Sequence, residues 1–345
     1  MKRFILIPHL KIHNANALSS PFTIGFPALT AWLGGVHALQ RKLNQNGFEN
    51  LIFKSVAISC HHLNLQTYKP KNGYDSSLIL TRNPLNKDGG SPSIIEEARC
   101  HIEVSLLIEF TGIFGSEIED LVDKKNKESK IEKFGKIHHQ LHKLKFASGD
   151  ILNFGIIEDL NYDEEDDNAN KKLKEITNKL MLGNVIVSRN DLMKEAMEQG
   201  QDALDAMLDY LKIYYQAENP NNNASEEVAE NSAPESEKIE NEKISTEKKV
   251  NWQTYRKTSG WIVPISVGFH GISEIAEIGK VKNQRDPNVP HRFAESVITL
   301  GQFVMPYRIK NIDEMLWHYE YQEQENLYLC KNIQQFNQQN NQQQE

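Results

Sequence analysis

The spacing of hydrophobic residues changes several times in the first third of the chain, and each spacing predicts one element. A continuous apolar run over 4–8 is typical of a central strand that is covered on both faces. Strict alternation predicts two further strands, at 51–61 and 101–110. Between the first two strands, steps of three and four predict an amphipathic helix over about 28–46 with the stripe Leu29, Trp32, Leu33, Val36, Leu39 and Leu43.

Strand, helix, strand and strand in this order form the first part of a βαββαβ unit. We therefore predict an α+β fold with a ferredoxin-like (RRM-like) βαββαβ core, a long inserted arm at 66–98, and additional helical and C-terminal segments. The second helix is predicted within 117–146. Two segments, 184–188 and 145–154, compete for the fourth strand, and the sequence leaves both open.

Composition divides the chain into further segments. Residues 1–216 are predicted to hold the core, the arm and a helical segment over 191–216. Residues 217–249 are rich in Glu, Asn and Ser, so they cannot bury enough apolar surface to offset the entropy of ordering, and we predict a disordered acidic linker. Residues 250–331 are predicted to pack on the core, and 332–345, mostly Gln and Asn, to form a frayed tail.

The net charge of −8 does not favour general binding of nucleic acid. The acidic residues are concentrated, however, because 218–247 holds nine Asp or Glu against two Lys. Phosphate binding needs local Lys and Arg rather than a positive total, so a local basic groove is permitted. Three cysteines without a CxxC spacing predict a reducing, cytoplasmic setting and no structural zinc site. No apolar run is long enough to span a bilayer, so no membrane association is expected.

The segment after the first strand is rich in groups that hold nucleotides. Asn14 and Asn16, together with Ser19 and Ser20, are predicted to form a polar loop before a corner at Phe26. Amides bond phosphates and base edges, aromatic rings stack on bases, and arginines combine charge with planar donors. Each of these residues also has an ordinary structural use in turns or surface ion pairs. The predicted RNA-binding residues are Asn14, Asn16, Phe26, Arg82, Asn83, Arg99, His101, Arg285 and Arg292.

The sequence predicts no catalytic residue, metal site or cofactor. His138 and His142 are spaced to share one helical face, but the glutamate of HExxH and a third zinc ligand are missing. His61 and His62 are expected to bond backbone groups at the edge of a strand. The alternative is a metal-independent ribonuclease that uses His61 or His101 as general acid or base, although no second acid–base partner is visible nearby.

Several short motifs occur in the order and at the spacing of a known family. They are Asn14-Ala15-Asn16-Ala17, Ser20-Pro21, Gly25-Phe26-Pro27, His37-Ala38-Leu39-Gln40-Arg41, Leu80-Thr81-Arg82-Asn83-Pro84-Leu85-Asn86, Glu96-Glu97-Ala98-Arg99-Cys100-His101, Glu103-Val104-Ser105-Leu106-Leu107, Gly260-Trp261-Ile262-Val263-Pro264-Ile265, Arg285-Asp286 and Arg292-Phe293-Ala294-Glu295. Together they resemble the Csy-two subunit of type I-F CRISPR surveillance complexes, a Cas-five-like member of the RAMP superfamily. The resemblance covers most of 1–320, is weak over 115–180 and is absent from 217–249 and from the tail.

The resemblance implies a non-catalytic subunit that binds the 5′ handle of the CRISPR RNA (crRNA) in antiviral defence. It also implies a heterodimer with the large Csy-one subunit, a contact with the nearest Csy-three backbone subunit, and contact with target DNA only through the assembled complex, where guide pairing reads the sequence. Some Cas-five-like relatives process repeat RNA, which is the basis of the ribonuclease alternative. RAMP proteins often grip RNA with a glycine-rich loop, and this chain offers only Gly34-Gly35, Gly89-Gly90 and isolated glycines.

Overall fold

A computed structural model describes residues 1–79, 85–91, 97–112, 127–217, 252–284 and 286–336, with the side chains of the helix that begins at Lys127 described from Phe134 onward. These residues form an α+β fold with five α-helices and one large antiparallel sheet of eleven strands, which confirms the predicted class. No helix in this part of the chain is long and apolar enough to cross a membrane.

Helices and strands follow one another irregularly along the chain. The helices are α1 (Leu29–Asn44), α2 (Lys127–Leu141), α3 (Ala169–Leu180), α4 (Asn190–Glu198) and α5 (Ala203–Leu211). The first strands are β1 (Lys2–Asn16), β2 (Leu18–Ser20), β3 (Thr23–Ile24), β4 (Ile52–Leu65), β5 (Thr67–Tyr68), β6 (Ser77–Leu78), β7 (Arg99–Thr111), β8 (Lys145–Phe146), β9 (Gly149–Asn153) and β10 (Glu158–Tyr162). The later strands are β11 (Asn184–Ser188), β12 (Tyr214–Ala217), β13 (Trp252–Tyr255), β14 (Trp261–Gly271), β15 (Ala294–Val304), β16 (Trp317–Gln322) and β17 (Leu327–Asn332).

Strand β1 lies in the middle of one half of the large sheet. It pairs with β7 on one side and with β9 and β10 on the other, and β7 pairs with β4, so the strand order is β9–β1–β7–β4. Helix α1 connects β1 to β4, and α2 lies between β7 and β9 along the chain. Of the two segments that compete for the fourth strand, 145–154 supplies β9 beside β1, whereas 184–188 forms β11 in the other half.

In the other half of the sheet, the strand pairings form a closed ring that begins and ends at β4. Strand β11 pairs with β15, β15 with β14, β14 with β17, and β17 with β16. Both ends of this series return to β4, where Trp317 of β16 lies opposite Val56 and Asn184 of β11 lies opposite Cys60. Strands from both ends of the chain therefore form one sheet, because β4 belongs to both halves.

Helix α1 covers one face of the sheet with the apolar stripe that its sequence predicts. All six stripe residues are buried in the cluster that also contains Val104 and Ile108 of β7. Gly35 lies against Phe146 of β8, and a Cβ at this position would meet the ring at 2.5 Å. Glycine is therefore required here by a close approach between helix and sheet, in spite of its low helix propensity.

The opposite face of the sheet is covered along only part of its length. Near the beginning of β1, Phe4, Leu6 and Leu107 are buried against α3. Alternation in β7 places Glu103 and His101 on this same face, because Ile102 and Val104, the two neighbours of Glu103, point into the cluster under α1. Polar side chains thus continue the face beyond the part that α3 covers.

The first strand is longer than its apolar run predicts. Strand β1 extends to Asn16 and pairs with β7 as far as Arg99, so Asn14 and Asn16 lie in a strand and the predicted polar loop at these positions is wrong. Two bulges interrupt the β1–β7 ladder. Each bulge inserts an extra residue into β1 and so shifts the alternation of buried and exposed side chains. The hydrophobic positions of β1 therefore do not follow one continuous pattern in the sequence.

The helical prediction over 191–216 is correct for α4 and α5 but not for its end. That end forms β12, which pairs with β13 so that Ala217 lies opposite Trp252. The chain therefore leaves and re-enters the described fold at neighbouring positions. Apart from Ala217, the predicted acidic linker at 217–249 lies outside the described residues.

The C-terminal end of the described chain is packed. Within the segment predicted as a tail, Phe336 is buried, and Nε2 of Gln335 donates to the backbone oxygen of Ser188 at 2.8 Å. The last part of that segment, 337–345, lies outside the described residues. All three cysteines carry free thiols.

Candidate nucleic-acid interface

Four of the predicted RNA-binding residues lie together at one end of the β1–β7 ladder. Asn16 is the register partner of Arg99, and Nη1 of Arg99 donates to the backbone oxygen of Asn14 at 3.4 Å. The backbone N–H of Asn14 donates to Nδ1 of His101 at 3.1 Å. Antiparallel pairing thus joins residues that are 85 and 87 positions apart in the sequence.

Asn14 has a left-handed backbone conformation, with φ 59°. Asparagine tolerates this region better than most residues because its short polar side chain bonds locally. The residue lies in the second bulge of β1, and bulges commonly re-aim side chains beside functional sites. Here the bulge directs the N–H of Asn14 to a side chain, His101, instead of to the ladder.

The guanidinium of Arg99 already has an ion-pair partner within the protein. Its Nη2 forms an ion pair with Glu97, and its buried Nε has no hydrogen-bond partner among the described residues. The Arg99 side chain is only 18% exposed. Any phosphate that binds this guanidinium therefore competes with Glu97 for its donors.

Asn16 and Phe26 are engaged in internal contacts. The side chain of Asn16 accepts a hydrogen bond from the N–H of Leu18 at 3.0 Å and donates to its carbonyl oxygen at 3.2 Å, which shapes the corner after β1. Phe26 is 7% exposed and packs against Trp32 and Phe303, at 5.7 and 5.4 Å between ring centroids. These contacts weigh against both residues as RNA ligands, and their role remains a prediction.

One further predicted residue is described, and it lies elsewhere. Arg292 is on the connection between β14 and β15, and strands β17, β16 and β4 separate β14 from β7 in the sheet. Its Nη1 donates to Oδ1 of Asn326 at 2.7 Å. The other three predicted residues, Arg82, Asn83 and Arg285, lie outside the described residues.

A row of polar side chains extends from His101 along the sheet face opposite α1. His13 of β1 stacks on His101, with 4.2 Å between ring centroids. Nδ1 of His9 lies 2.7 Å from Oε1 of Glu103, and Nζ of Lys11 lies 3.7 Å from the other oxygen of that carboxylate. We name this set the imidazole row, and its members are His9, Lys11, His13, His61, His101 and Glu103.

His61 of β4 joins the row through its neighbours on β1 and β7. Its Nε2 lies 2.7 Å from Oγ of Ser105, and its ring centroid lies 4.4 Å from that of His9. This side-chain partner replaces the backbone bond expected from the sequence, so that expectation is wrong for His61. Burial, and then the charge of His9, lowers the pKa of His61, and burial followed by the charge of His13 lowers the pKa of His101.

The part of the row on β1, namely His9, Lys11 and His13, was not predicted from the sequence. These residues alternate with Leu10 and Ile12, and such alternation signals a half-buried strand. The signal was hidden because the preceding run is apolar at nearly every position and a bulge separates the two patterns.

The row brings together groups that exchange protons and bind anions. His61 has a second imidazole, His9, in ring contact, and His9 is held by the Glu103 carboxylate. This is the acid–base partner that the sequence did not reveal. The fold therefore gives the ribonuclease alternative two neighbouring imidazoles, which are the groups that its acid–base chemistry requires.

His138 and His142 of α2 do not form part of this row. Their ring centroids lie 4.7 Å apart, and both rings contact Phe154. Among the residues that the structure describes, no group of three or more His, Cys, Asp or Glu side chains is arranged to hold a metal ion. Both histidines therefore pack against the ring of Phe154.

Comparisons with known proteins identify the relatives of this chain. The family model described as CRISPR-associated protein (Cas_Csy2) matches residues 5–330. The CRISPR-associated protein Csy2 of Pseudomonas aeruginosa (strain UCBPP-PA14) is 32% identical over 337 residues, which cover 94% of this chain and 93% of the relative. The family match includes every residue of the imidazole row.

Proposed function

The chain belongs to the Csy2 family of CRISPR-associated proteins, and from this membership we propose that it is the subunit of a type I-F surveillance complex that binds the 5′ handle of the crRNA. Its role is structural rather than catalytic, and it requires no cofactor. It acts in the cytoplasm, pairs with the large Csy-one subunit and contacts a Csy-three backbone subunit. It meets target DNA only through the assembled complex, in which guide pairing reads the sequence.

The strand order supports a ferredoxin-like core of the RAMP type. In a βαββαβ unit, the first strand pairs with the third and the fourth, and the third also pairs with the second. The order β9–β1–β7–β4, with α1 and α2 between the appropriate strands, has this arrangement. The C-terminal strands extend such a core through the far edge of β4.

The observation that carries the proposal is the grouping of Asn14, Arg99 and His101 at the end of β1 and β7 inside the family match. Single-stranded RNA is held by surfaces that follow its backbone and leave its bases splayed. The net charge of −8 suits a subunit that binds RNA at a local surface and gains further affinity from a partner.

Retention of crRNA in the reconstituted complex tests this role. Arg82→Ala combined with Arg99→Ala should weaken retention by the chain and its large partner, and should flatten the dependence on salt because fewer phosphate contacts release counterions. Arg256→Ala, at an exposed arginine after β13, is the matched control and should change neither quantity. If retention and salt slope are unchanged in the double variant, these arginines do not form the handle site.

The contact of His61 with His9 makes a repeat-RNA endoribonuclease the second candidate. In such an enzyme one imidazole takes the proton of the 2′-hydroxyl, whose oxygen attacks phosphorus, and another protonates the departing 5′-oxygen. The products are a 2′,3′-cyclic phosphate and a 5′-hydroxyl. We expect no cleavage, because rings in contact at 4.4 Å leave no space for a phosphate between them.

A cleavage assay separates the two candidates. The full chain is incubated with repeat RNA and a chelator, and the products are resolved on a denaturing gel. Cleavage that disappears in His61→Ala would replace the binding role by a catalytic one. Intact RNA in both reactions agrees with the binding role.

A further inference from the structure

The imidazole row is a surface in its own right, next to the predicted arginine and asparagine cluster. We infer that it binds the phosphodiester backbone of single-stranded RNA when His9 and His13 take up protons, so that the RNA affinity of this chain rises as the pH falls. This inference rests on the proposed RNA-binding role, and the contact lies at β1 residues that were not predicted from the sequence.

Two residues of β1, one at each bulge, have left-handed backbone conformations that shape the imidazole row. One bulge falls between Ile7 and Leu10 and holds His9 at φ 51°, and the other holds Asn14 at φ 59°. Non-glycine residues in this region are strained and are retained where the surrounding structure enforces them, often at binding sites. Lys11 lies between the two bulges and completes the exposed side of the strand.

The contacts of the first bulge hold both rings of one histidine pair. The N–H of His9 leaves the ladder and donates to Oγ of Ser105 at 3.1 Å, and the same hydroxyl lies 2.7 Å from Nε2 of His61. Gly183 makes room for this ring, because a Cβ there would lie 2.9 Å from Nδ1 of His61 and 2.3 Å from Oγ of Ser59. Three strands and a loop thus fix the position of one imidazole pair.

Each pair joins an exposed imidazole to a more buried one. His9, with a 51% exposed side chain, meets His61, and the exposed His13 stacks on His101. Burial lowers the pKa of both His61 and His101, and the charge of the exposed neighbour lowers it further. Each pair thus presents one exposed ring, His9 or His13, to a ligand.

The fixed charges that face the row nearly cancel. Lys11 lies beside Glu103, and across the ladder from His13 lies Asp150 of β9, which pairs with Lys145. With neutral imidazoles the row therefore has little net charge, and protonation of His9 and His13 makes it cationic. Further titratable groups near the row are Glu97 and Arg99, at the beginning of β7, and His62 of β4.

Glu103 orients the two cationic side chains of β1 that would face an anionic ligand, His9 and Lys11. Burial raises its pKa, but the hydrogen bond from His9 and the charge of Lys11 lower it more, so the carboxylate stays charged and holds Nδ1 of His9. The protonated ring then has Nε2 as its second donor. His9, Lys11 and His13 occupy alternate strand positions, about 7 Å apart, so repeated cationic donors face a polymer of repeated phosphates.

Fluorescence anisotropy of the full chain with a short labelled single-stranded RNA tests the inference. At constant ionic strength we expect the wild type to bind roughly tenfold more tightly at about pH 6 than at about pH 8, since histidine titrates between these values. His9→Asn combined with His13→Gln should lose this gain, judged by the ratio of the affinities at the two pH values within each variant. Asparagine is chosen because it tolerates the left-handed backbone of His9.

His270→Gln is the matched control, because His270 is an exposed histidine whose Nδ1 lies 3.3 Å from Glu295. It should keep the full gain at low pH. An equal loss in this control, or an undiminished gain in the double variant, would overturn the inference. A methylphosphonate strand of the same sequence should lose the gain, and a gain that persists with this uncharged backbone contradicts phosphate binding.

Folding and the two proposals are separated by further measurements. If the double variant melts below the wild type, His13→Gln alone carries the test and should lose about half of the logarithmic gain. Absence of RNA binding by the full chain at both pH values overturns this inference. The handle-binding proposal is decided independently, by retention of crRNA in the reconstituted complex at the higher pH.

Discussion

The indole N–H of Trp317 donates to the backbone oxygen of Ile186 at 2.9 Å, and both residues are buried. Trp317 lies opposite Val56 at one point of β4, and Val185, the neighbour of Ile186, lies opposite Ser59 a few residues further along. Because β7 occupies the other edge of β4, strands β11 and β16 share the remaining edge. The bond ties them together where the ladder changes from one partner to the other.

Trp317→Phe should destabilise the protein by about 2–4 kcal/mol. The substitution leaves a buried carbonyl oxygen without its donor and a void where the larger ring was packed. Urea unfolding followed by fluorescence measures the change. Trp261→Phe, at a side chain that is 56% exposed, should stay within about 0.5 kcal/mol of the wild type. Equal effects at the two positions would show that the Ile186 contact contributes nothing specific.

Adjacent glycines in α1 should respond in opposite directions to alanine. At Gly35 a Cβ would meet Phe146 at 2.5 Å, and we expect Gly35→Ala to destabilise by about 1–3 kcal/mol through overpacking. At Gly34 the nearest atom is the Tyr319 hydroxyl at 3.7 Å, so Gly34→Ala should stabilise by about 0.5–1 kcal/mol through helix propensity. Melting temperatures of the two variants check this, and a shared sign would contradict the close packing of Gly35.

Replacing 219–247 by a short Gly-Ser connector should leave folding and assembly nearly intact. Ala217 and Trp252 are register partners, so the ends that the connector must join lie close together. Closure entropy changes by only about 0.6 kcal/mol for each doubling of loop length. The melting temperature and co-purification with the large subunit are the measurements. Loss of assembly at an unchanged melting temperature would identify the acidic stretch as a partner-binding element.

His61→Gln should make stability less sensitive to acid. Burial holds the pKa of His61 below its unfolded value of about 6.5, so the unfolded chain binds this proton first as the pH falls. The stabilising contribution of the neutral ring is therefore complete above about pH 6.5 and is lost as the pH falls through the folded pKa. Thermal melting from about pH 8 to pH 5 measures the slope, with His139→Gln on an exposed position of α2 as control. Parallel slopes in wild type and His61→Gln would exclude this histidine as a source of acid sensitivity.

The residues of the arginine and asparagine cluster were predicted from the sequence, but their arrangement on one surface was not. Asn14, Arg99 and His101 were selected from residue chemistry and from the family resemblance, and the β1–β7 register brings them together. Phe26 was selected by the same reasoning, yet its ring is packed in the core. Residue type shows what a side chain is able to bind, whereas its orientation depends on packing partners that are distant in sequence. For this reason His9 was missed.

The sequence by itself determined helix α1 and strands β4 and β7, and which side of α1 and β7 is buried. The stripe of α1 and the alternation of β7 follow from the periods 3.6 and 2, which are properties of the local backbone. Tertiary structure alone decided that β9 and not β11 lies beside β1, that β4 joins two halves of the sheet, and that bulges extend β1 past His9 to Asn16. These outcomes depend on pairing between distant strands. A hydrophobic pattern specifies the face that must be covered, but it does not specify which strand or helix covers it.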